Sequence, residues 1–184
     1  RVNLLDAVLN HANEADLGFR EDAFPPEKTI YYTLLRETGM HRQDDDGTYY
    51  FGEPQNQNVR ALWNACCGFV AGSSEKPRKL SELINILKAA PYKLKQGVLD
   101  FWLPIFLYIK QQDFALYEDG KYILEINKEV FEILQKKPND FVLKAYDVAG
   151  VKVDFFNKYR QFFHKDDDVR IQGASLIGIA KPFF

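Results

Sequence analysis

The longest apolar stretch of the chain runs from Val98 to Ile109 and reads V-L-D-F-W-L-P-I-F-L-Y-I. Asp100 is its only residue that is neither apolar, aromatic nor proline. A helix that is hydrophobic on all sides lies in a protein core or in a membrane, and a bilayer requires about twenty residues. The stretch is shorter than that. It therefore predicts a central core helix, in which Phe101, Leu103 and Phe106 are almost fully buried.

Upstream of this helix, the spacing of apolar residues predicts a mainly helical N-terminal part. Residues 1–15 carry an apolar stripe with the period of a helix. Pro25 and Pro26 open a second helix, because proline suits the first helical turn, and Gly39 ends it. We therefore expect residues 1–76 to form a helical subdomain with one short strand. Its two further elements are the strand over residues 48–51 and a helix over residues 58–71.

Downstream of a small and polar boundary at residues 72–77, the pattern predicts a second group of elements. Ser81 is placed to cap a helix that ends at Pro91. After the central helix, Asp119-Gly120 lies between two β-rich runs and is the strongest hairpin signal in the chain. The remaining predicted elements are a helix capped by Asn127, a strand over residues 141–146 and a helix over residues 151–163.

The order of these elements, a helix pair followed by a β-hairpin, is typical of a winged helix. We therefore predict a mainly α fold with small β elements, which belongs to the α+β class. It consists of the helical N-terminal part and a winged-helix-like subdomain at residues 77–163, built around the buried central helix. Residues 164–184 are predicted to form a C-terminal loop and helix.

Composition supports a full-sized hydrophobic core and gives no global attraction to nucleic acid. The 184-residue chain is 46% apolar and 15% aromatic, so it is not a disordered segment. Its formal net charge of -2 and its pI near 6.0 lack the basic excess that is typical of proteins that bind nucleic acid or anionic lipid.

The two cysteines and the two chain ends indicate the setting of the protein. Cys66 and Cys67 are adjacent, with Cα atoms about 3.8 Å apart, below the usual disulfide range of about 4.4–6.8 Å. A cytoplasmic protein is therefore expected. No signal peptide or membrane-spanning run is visible, so no membrane partner is expected. Because the chain begins at Arg1 inside a helical pattern and ends at Phe184, we expect a piece of a longer protein.

Residues that could carry catalysis are present, but their spacing argues against a catalytic site. The histidines do not lie at i, i+4 spacing, and the chain has no Cys-x-x-Cys motif. The Asp triplets at residues 44–46 and 166–168 could converge on Mg²⁺ or Ca²⁺, but we interpret each as a solvated loop. A hydrolytic enzyme would require both triplets and a histidine to converge. We therefore expect no catalytic residue and no metal site.

The cysteines and glycines give no catalytic or cofactor signal either. Cys66 and Cys67 fall in the middle of a predicted helix beside Trp63, where burial raises the pKa of a thiol instead of lowering it. We interpret them as core residues. The glycines form neither a P-loop nor a dinucleotide-binding motif. We expect no cofactor here, and any use of ATP by a parent protein would lie elsewhere.

Nucleic acid is the alternative partner, because winged helices often bind DNA. A recognition helix must present Arg, Lys, Asn or Gln to base edges, whereas this one has Phe, Trp, Leu and Ile in its middle. The hairpin tip, Glu118-Asp119, is acidic where a wing would meet phosphate. We therefore favour a scaffold that does not bind DNA. If DNA is bound, the candidate phosphate contacts are Lys76, Arg78, Lys79, Lys93 and Lys95.

Two stretches of the chain together resemble a region of large, poorly characterised bacterial P-loop ATPases. The first is P-P-E-K-T-I-Y at residues 25–31, followed by L-L-R-E-T-G-M-H-R at residues 34–42. The second is A-P-Y-K-L-K-Q-G-V at residues 90–98, followed by A-L-Y-E-D-G at residues 115–120. Some of these ATPases are associated with phage defence or restriction-like gene clusters. In them the second stretch tends to read P-P-Y-G-L-(R/K)-x-G-V, so Lys93 replaces a glycine.

The resemblance covers roughly residues 1–184, and its motifs are not catalytic signatures. It implies an accessory, helical and winged-helix-like region outside the nucleotide-binding core. We therefore expect a non-catalytic interaction or scaffold region of a larger bacterial ATPase-type protein, in the setting of phage defence. Its partner would be the rest of the parent chain or another protein. The alternative is a DNA-binding winged-helix module of the same protein.

Overall fold

Helices and short strands alternate along the computed structural model. The structure describes residues 2–20 and 22–146. Its α-helices are α1 (Val2–Asn10), α2 (Pro26–Tyr31), α3 (Gln57–Ala71), α4 (Leu80–Lys88), α5 (Gln96–Lys110) and α6 (Lys128–Lys136). Its strands are β1 (His41–Gln43), β2 (Tyr49–Phe51), β3 (Arg78–Lys79), β4 (Phe114–Glu118), β5 (Lys121–Tyr122) and β6 (Phe141–Ala145). The predicted α+β class, with helices and small β elements, is confirmed.

The elements named above belong to one compact unit, residues 1–145. Within it α1 contacts both α5 and α6, so the N-terminal part packs against the part around the central helix. A division after residue 76 stays a prediction. The helix predicted over residues 151–163 and the loop and helix predicted at residues 164–184 lie outside the described residues.

α1 is shorter than the apolar stripe predicted, and it ends at Asn10. The carbonyl of Ala12 accepts a hydrogen bond from Nε2 of His41 at 2.9 Å. This carbonyl therefore pairs with a side chain instead of with a backbone N–H of a longer α1. Asp16 and Leu17 then adopt left-handed conformations, with φ of 50° and 52°. A contact with a residue distant in sequence therefore ends α1, and the apolar period alone could not predict that end.

The strand predicted at residues 48–51 has a partner that the apolar pattern did not predict. β1 pairs antiparallel with β2, with His41 opposite Phe51 and Gln43 opposite Tyr49. The sequence of β1 is H-R-Q, which lacks the β-branched and aromatic residues that usually mark a strand. The signal that was available is the polar turn at residues 44–47, because such turns often join two strands.

α2 begins at Pro26, as the Pro-Pro pair predicted, and is followed by a π-helical turn over Tyr32–Arg36. A π-helical turn inserts one extra residue into the helical repeat. In this geometry the Tyr32 hydroxyl and the Arg36 guanidinium both donate to the carboxylate of Asp16, at 2.8 and 3.0 Å. The end of α2 is thereby tied to the loop that follows α1.

The two predicted helix caps have different outcomes. The expectation that Ser81 caps α4 is wrong, because the helix begins at Leu80 and Ser81 lies inside its first turn. The backbone N–H of Lys79 instead donates to the carboxylate of Glu82 at 3.3 Å. The cap at Asn127 is confirmed, since its side-chain oxygen accepts from the backbone N–H of Val130, in the first turn of α6, at 3.0 Å.

α5 contains the apolar stretch on which the sequence prediction centred. Its residues Leu99–Leu107 are all buried, and the predicted burial of Phe101, Leu103 and Phe106 is confirmed at 8%, 3% and 1% exposure. Pro104 lies inside one continuous α-helix instead of between two helices. Neither α5 nor any other helix in the described part of the chain is long and apolar enough to cross a membrane.

Four strands form an antiparallel sheet in the order β3-β6-β4-β5. β4 and β5 make the predicted hairpin, and Asp119 and Gly120 occupy its turn with φ of 46° and 78°. β6 also contacts α3 and α4. In β6 the buried residues alternate along the strand, and together with two residues of β4 they form the face of the sheet that contributes to the core: Phe114, Leu116, Phe141, Leu143 and Ala145. Ala115, on the other face of β4, is buried as well.

Candidate functional site

An exposed aromatic side chain marks the loop before α2. Phe24 is 84% exposed, and its ring centroid lies 5.1 Å from the Lys28 ammonium, which is a cation–π distance. Burying a phenylalanine side chain in an interface is worth roughly 1.5–3 kcal/mol. Phe24 therefore has the chemistry of a residue that anchors a protein contact.

Lys28 fixes the backbone of this loop. Its side chain is almost fully buried, at 3% exposure. Its ammonium donates to the carbonyl oxygens of Arg20 at 2.7 Å and of Ala23 at 3.2 Å. Pro25 has φ of -66° and leads into α2, and the proline ring restricts this angle. Phe24 thus lies between the Ala23 carbonyl, which Lys28 holds, and Pro25, whose φ is restricted, and this restraint lowers the entropy cost of docking.

A cleft of about 290 Å³ lies between α4, α5 and α6. Its volume is close to the lower end of the range for small-molecule sites, about 300–1,000 Å³. The apolar part of its lining comes from Ile84, Leu99, Leu103, Pro104, Leu134 and Pro138. Four polar side chains complete the lining, namely Lys88, Gln96, Asp100 and Gln135.

Asp100, the charged residue inside the apolar stretch, lies in the wall of this cleft. It is 5% exposed. The Gln96 side-chain amide donates to its carboxylate at 2.7 Å, and the Gln135 amide donates to its backbone carbonyl at 3.0 Å. Buried charges require such partners. The polar side of the cleft therefore supports the start of α5 and links it to α6.

The basic residues predicted for phosphate contacts lie at both ends of α4. Lys76 and Lys79 precede the helix, whereas Lys93 and Lys95 follow it, and all four are exposed. The nine-residue helix between the two pairs is about 13 Å long. The structure therefore keeps the two pairs apart.

Arg78, the fifth of these basic residues, packs onto the protein itself. Its guanidinium carbon lies 3.9 Å from the ring centroid of Phe69, and its Nε pairs with the carboxylate of Glu82 at 3.1 Å. Arg78 is opposite the buried Leu143 in the sheet, so it shares the core-facing side. These contacts occupy the planar guanidinium that would otherwise contact phosphate.

His41 is a buried histidine that takes part in a hydrogen-bond chain. Its Nε2 donates to the carbonyl of Ala12 at 2.9 Å, and its Nδ1 accepts from the Tyr31 hydroxyl at 2.9 Å, because a carbonyl oxygen can only accept. Burial lowers the pKa of His41 and raises the pKa of Tyr31 well above its usual range. The chain joins α2, β1 and the end of α1, which is a structural role.

The cysteines lie in or beside the core. Cys66 is fully buried, and Trp102 donates its indole N–H to the Cys66 sulfur at 3.4 Å. Burial raises the pKa of the Cys66 thiol to about 12. Cys67 is half-buried, and burial raises the pKa of its thiol as well. The predicted core position of Cys66 is confirmed, and neither thiol has the low pKa of a catalytic nucleophile.

The first Asp triplet, Asp44–Asp46, is exposed and belongs to the turn between β1 and β2. Asp46 accepts from the backbone N–H of Thr48 at 2.8 Å, and this hydrogen bond holds the pKa of Asp46 below its usual value. Among the described residues, no group of three His, Cys, Asp or Glu side chains could hold a metal ion. The second triplet, residues 166–168, lies outside the described residues.

Several residues of the stretches at residues 25–42 and 90–98 have structural roles. Lys28 holds the loop before α2, and Tyr31 bonds His41. Arg42 donates to the Tyr50 hydroxyl at 2.7 Å. Lys93 has φ of 49°, a left-handed conformation that glycine adopts without strain.

Sequence reasoning missed Phe24 and Lys28 as candidates. Phe24 is an aromatic residue outside every predicted apolar stripe and directly before a Pro-Pro pair, which was a usable signal for an exposed loop residue. The burial of Lys28 had no such signal, because a lysine in the first turn of an amphipathic helix is normally solvated. Its role depends on carbonyl groups that only the folded loop brings together.

Comparison with protein-family models, curated proteins and solved structures found no match to this chain. Proposals about its function therefore rest on its own residues.

Proposed function

We propose that the chain is a non-catalytic interaction region of a larger bacterial ATPase-type protein, with phage defence as its setting. The ATPase link rests on the two resembling stretches alone. The observation that carries the interaction role is Phe24, which is 84% exposed on a loop fixed by Lys28. In this role Phe24 inserts into an apolar pocket of the rest of the parent chain or of a protein partner.

The uses of the other reactive side chains support a non-catalytic role. Cys66 has a raised thiol pKa, and both ring nitrogens of His41 are used in structural hydrogen bonds. Asp100 supports α5 through Gln96. These groups stabilise the fold, so they are not arranged around a reacting atom.

A photo-crosslinking experiment on the parent protein tests the contact at Phe24. Benzoylphenylalanine is placed at position 24 and, as a control, at position 86, where Ile86 is 38% exposed on α4. We expect position 24 to crosslink to one defined apolar segment, which mass spectrometry identifies, and position 86 not to do so. Identical products from both positions, or none from position 24, would overturn the proposal.

A matched pair of variants separates binding from stability. Phe24→Ala and Leu124→Ala each remove an exposed apolar side chain, at 84% and 88% exposure. Each should change the free energy of unfolding by about 0.5 kcal/mol or less, while only Phe24→Ala weakens association with the identified segment. A metal-dependent activity of the isolated chain that is lost on neutralising Asp44–Asp46 would contradict the non-catalytic role.

A DNA-binding winged-helix module is the second candidate, and the strand topology favours it. The elements α3, β3, α4, α5, β4 and β6 occur in this order along the chain, with β5 and α6 between the last two, and β6 pairs with both β3 and β4. A winged helix has this order of helices and strands and this central last strand. In this interpretation α5 takes the place of the recognition helix, and α6 is an insertion in the wing.

Burial of α5 argues against base recognition by this module. Residues Leu99–Leu107 are buried, and α1 and α6 both contact α5. Duplex binding would depend on phosphate contacts such as those of Lys93 and Lys95. Each contact adds about 0.9 to the steepness with which the logarithm of the binding constant falls with the logarithm of the salt concentration, which we call the salt slope. Fluorescence anisotropy with a labelled duplex tests this candidate. Loss of affinity in Lys93→Ala/Lys95→Ala would support it, and no binding at low salt would end it.

A further inference from the structure

One row of side chains crosses all four strands of the larger sheet. Lys79 on β3 is opposite Val142 on β6, Val142 is opposite Tyr117 on β4, and Tyr117 is opposite Tyr122 on β5. Residues directly opposite in paired strands lie on the same face. Because neighbouring strands are about 4.8 Å apart, this row places a lysine about 14 Å from the second tyrosine.

This row belongs to the face of the sheet opposite the core-facing residues. Successive residues of a strand alternate between faces, so Tyr117 and Val142 lie on the other side from Leu116 and Leu143. Lys144, two residues beyond Val142, shares their side. We call this side the outer face. Its exposed residues are Lys79, Tyr122 and Lys144, whereas Tyr117 and Val142 are half-buried and Ala115 is buried.

The charged side chains of the outer face are basic. Lys79 and Lys144 are both exposed, and the outer face as defined above contains no carboxylate. Glu118 follows Tyr117 and therefore lies on the opposite face. Asp119 and Asp140 lie beyond the row, at the hairpin end, where the Asp119 N–H donates to the Asp140 carbonyl at 3.0 Å. The outer face is thus complementary to an anionic backbone on its β3 and β6 side.

The other side of the outer face is aromatic. The rings of Tyr117 and Tyr122 meet at 5.8 Å with an interplanar angle of 60°. Tyr117 is half-buried, and Tyr122 is 49% exposed. Aromatic side chains on an open sheet are one way in which proteins stack unpaired bases, and stacking tolerates any base sequence.

We propose that the outer face binds single-stranded nucleic acid, a function beyond the protein contact at Phe24. Bases stack on Tyr122 and on the Tyr117 edge, while phosphates pair with Lys79 and Lys144. A duplex does not fit this chemistry, since its bases are already stacked and paired. An acidic peptide would use the two lysines but would gain nothing from base stacking, so the tyrosines favour the nucleic acid.

Fluorescence anisotropy of the full chain with labelled oligothymidylate and oligouridylate tests the proposal. Tyr122→Ala should weaken binding about tenfold through the loss of one stacked base, whereas Tyr122→Phe should retain it. Lys79→Ala/Lys144→Ala should lower the salt slope by about 1.4, at about 0.7 per phosphate. The control Lys88→Ala/Lys136→Ala removes the same charge from exposed helical positions and should leave the affinity within about twofold.

Four outcomes would overturn the proposal. The first is the absence of binding to either oligonucleotide at low salt. The second is an equal loss of affinity in the control pair, which would show that only net charge matters. The third is tighter binding of polyglutamate that Tyr122→Ala leaves unchanged, which would show a surface for acidic peptides. The fourth is preference for duplex through Lys93 and Lys95. Thermal melting of each variant checks that the fold is retained.

Discussion

Helices α5 and α6 contact each other but differ in how much of their surface is buried. In α5, every residue from Leu99 to Leu107 is buried. In α6, the buried residues are Val130, Phe131 and Leu134, which form one stripe at helical spacing. The opposite side of α6 is exposed to water. α6 therefore has one buried and one exposed side, whereas the middle of α5 is buried on all sides.

This difference determines what each helix can contribute to function. The middle of α5 has no exposed side chain to offer a protein or duplex surface, although some of its buried residues line the cleft and α5 precedes a hairpin as a recognition helix would. α6 is one of the helices that cover it. Exposed chemistry is therefore left to other elements, namely the loop that carries Phe24 and the outer face of the sheet. If burial determines the stability contribution of each helix, truncations in α5 should cost more than truncations in α6.

Truncation in the middle of α5 should have the largest effect. Phe106 is 1% exposed, and its ring centroid lies 5.0 Å from that of Trp63. We expect Phe106→Ala to lower the free energy of unfolding by about 3–5 kcal/mol, because it removes buried apolar surface and leaves a cavity. Chemical denaturation measures the change. Phe106→Leu removes less buried surface and leaves a smaller cavity, so it should cost less than Phe106→Ala.

The control for this variant lies on the exposed side of α6. Lys136 is exposed near the helix end, and Lys136→Ala should change stability by about 0.5 kcal/mol or less. Similar losses for Phe106→Ala and Lys136→Ala would contradict the difference in burial between the two helices.

Much of this architecture followed from local sequence signals. The uninterrupted apolar run predicted α5 and its burial, and Asp119-Gly120 predicted the β4–β5 hairpin. The end of α1 and strand β1 could not be predicted in the same way. Both depend on His41, which bonds the Ala12 carbonyl across 29 residues and faces Phe51 in the sheet. Long-range contacts of this kind leave no local period in the sequence.

Truncation on the buried side of α6 should have the second largest effect. Leu134 is 2% exposed and lines the cleft beside α5. Leu134→Ala should cost about 2–5 kcal/mol, toward the lower end because the cleft lets neighbouring side chains relax. Hydrogen exchange should show faster exchange in α6 than in α5. Faster exchange throughout α5 alone would indicate that α6 does not act as its cover.

The candidate surfaces were less predictable than the fold. Lys79 was proposed from the sequence as a phosphate contact, and the structure places it on the outer face in one row with Tyr117 and Tyr122. That row depends on the register of three strand pairs, which the sequence does not specify. Arg78 was grouped with Lys79, yet adjacent strand residues lie on opposite faces, and Arg78 packs on Phe69.

Loss of the α6 cap should have a smaller effect. The Asn127 side chain accepts from the Val130 N–H at 3.0 Å. Asn127→Ala should cost about 1 kcal/mol, since that donor loses its partner, whereas Asn127→Asp should be nearly neutral. Urea denaturation of both variants checks the prediction. An equal loss in both would show that the side-chain oxygen is not what stabilises the start of α6.

A substitution before α5 should have the smallest effect and the opposite sign. Lys93 has φ of 49°, and a left-handed conformation costs a residue with a side chain about 1 kcal/mol or more. Glycine removes this strain but adds about 0.4–1 kcal/mol of unfolded-state entropy, so Lys93→Gly should raise stability by about 0.5 kcal/mol. Lys88→Gly, at an exposed position of α4, should instead lower it by up to about 1 kcal/mol. Thermal and urea denaturation of the two variants measure the sign of each change in the free energy of unfolding. A loss of stability in Lys93→Gly equal to that in Lys88→Gly would show that the turn into α5 is unstrained.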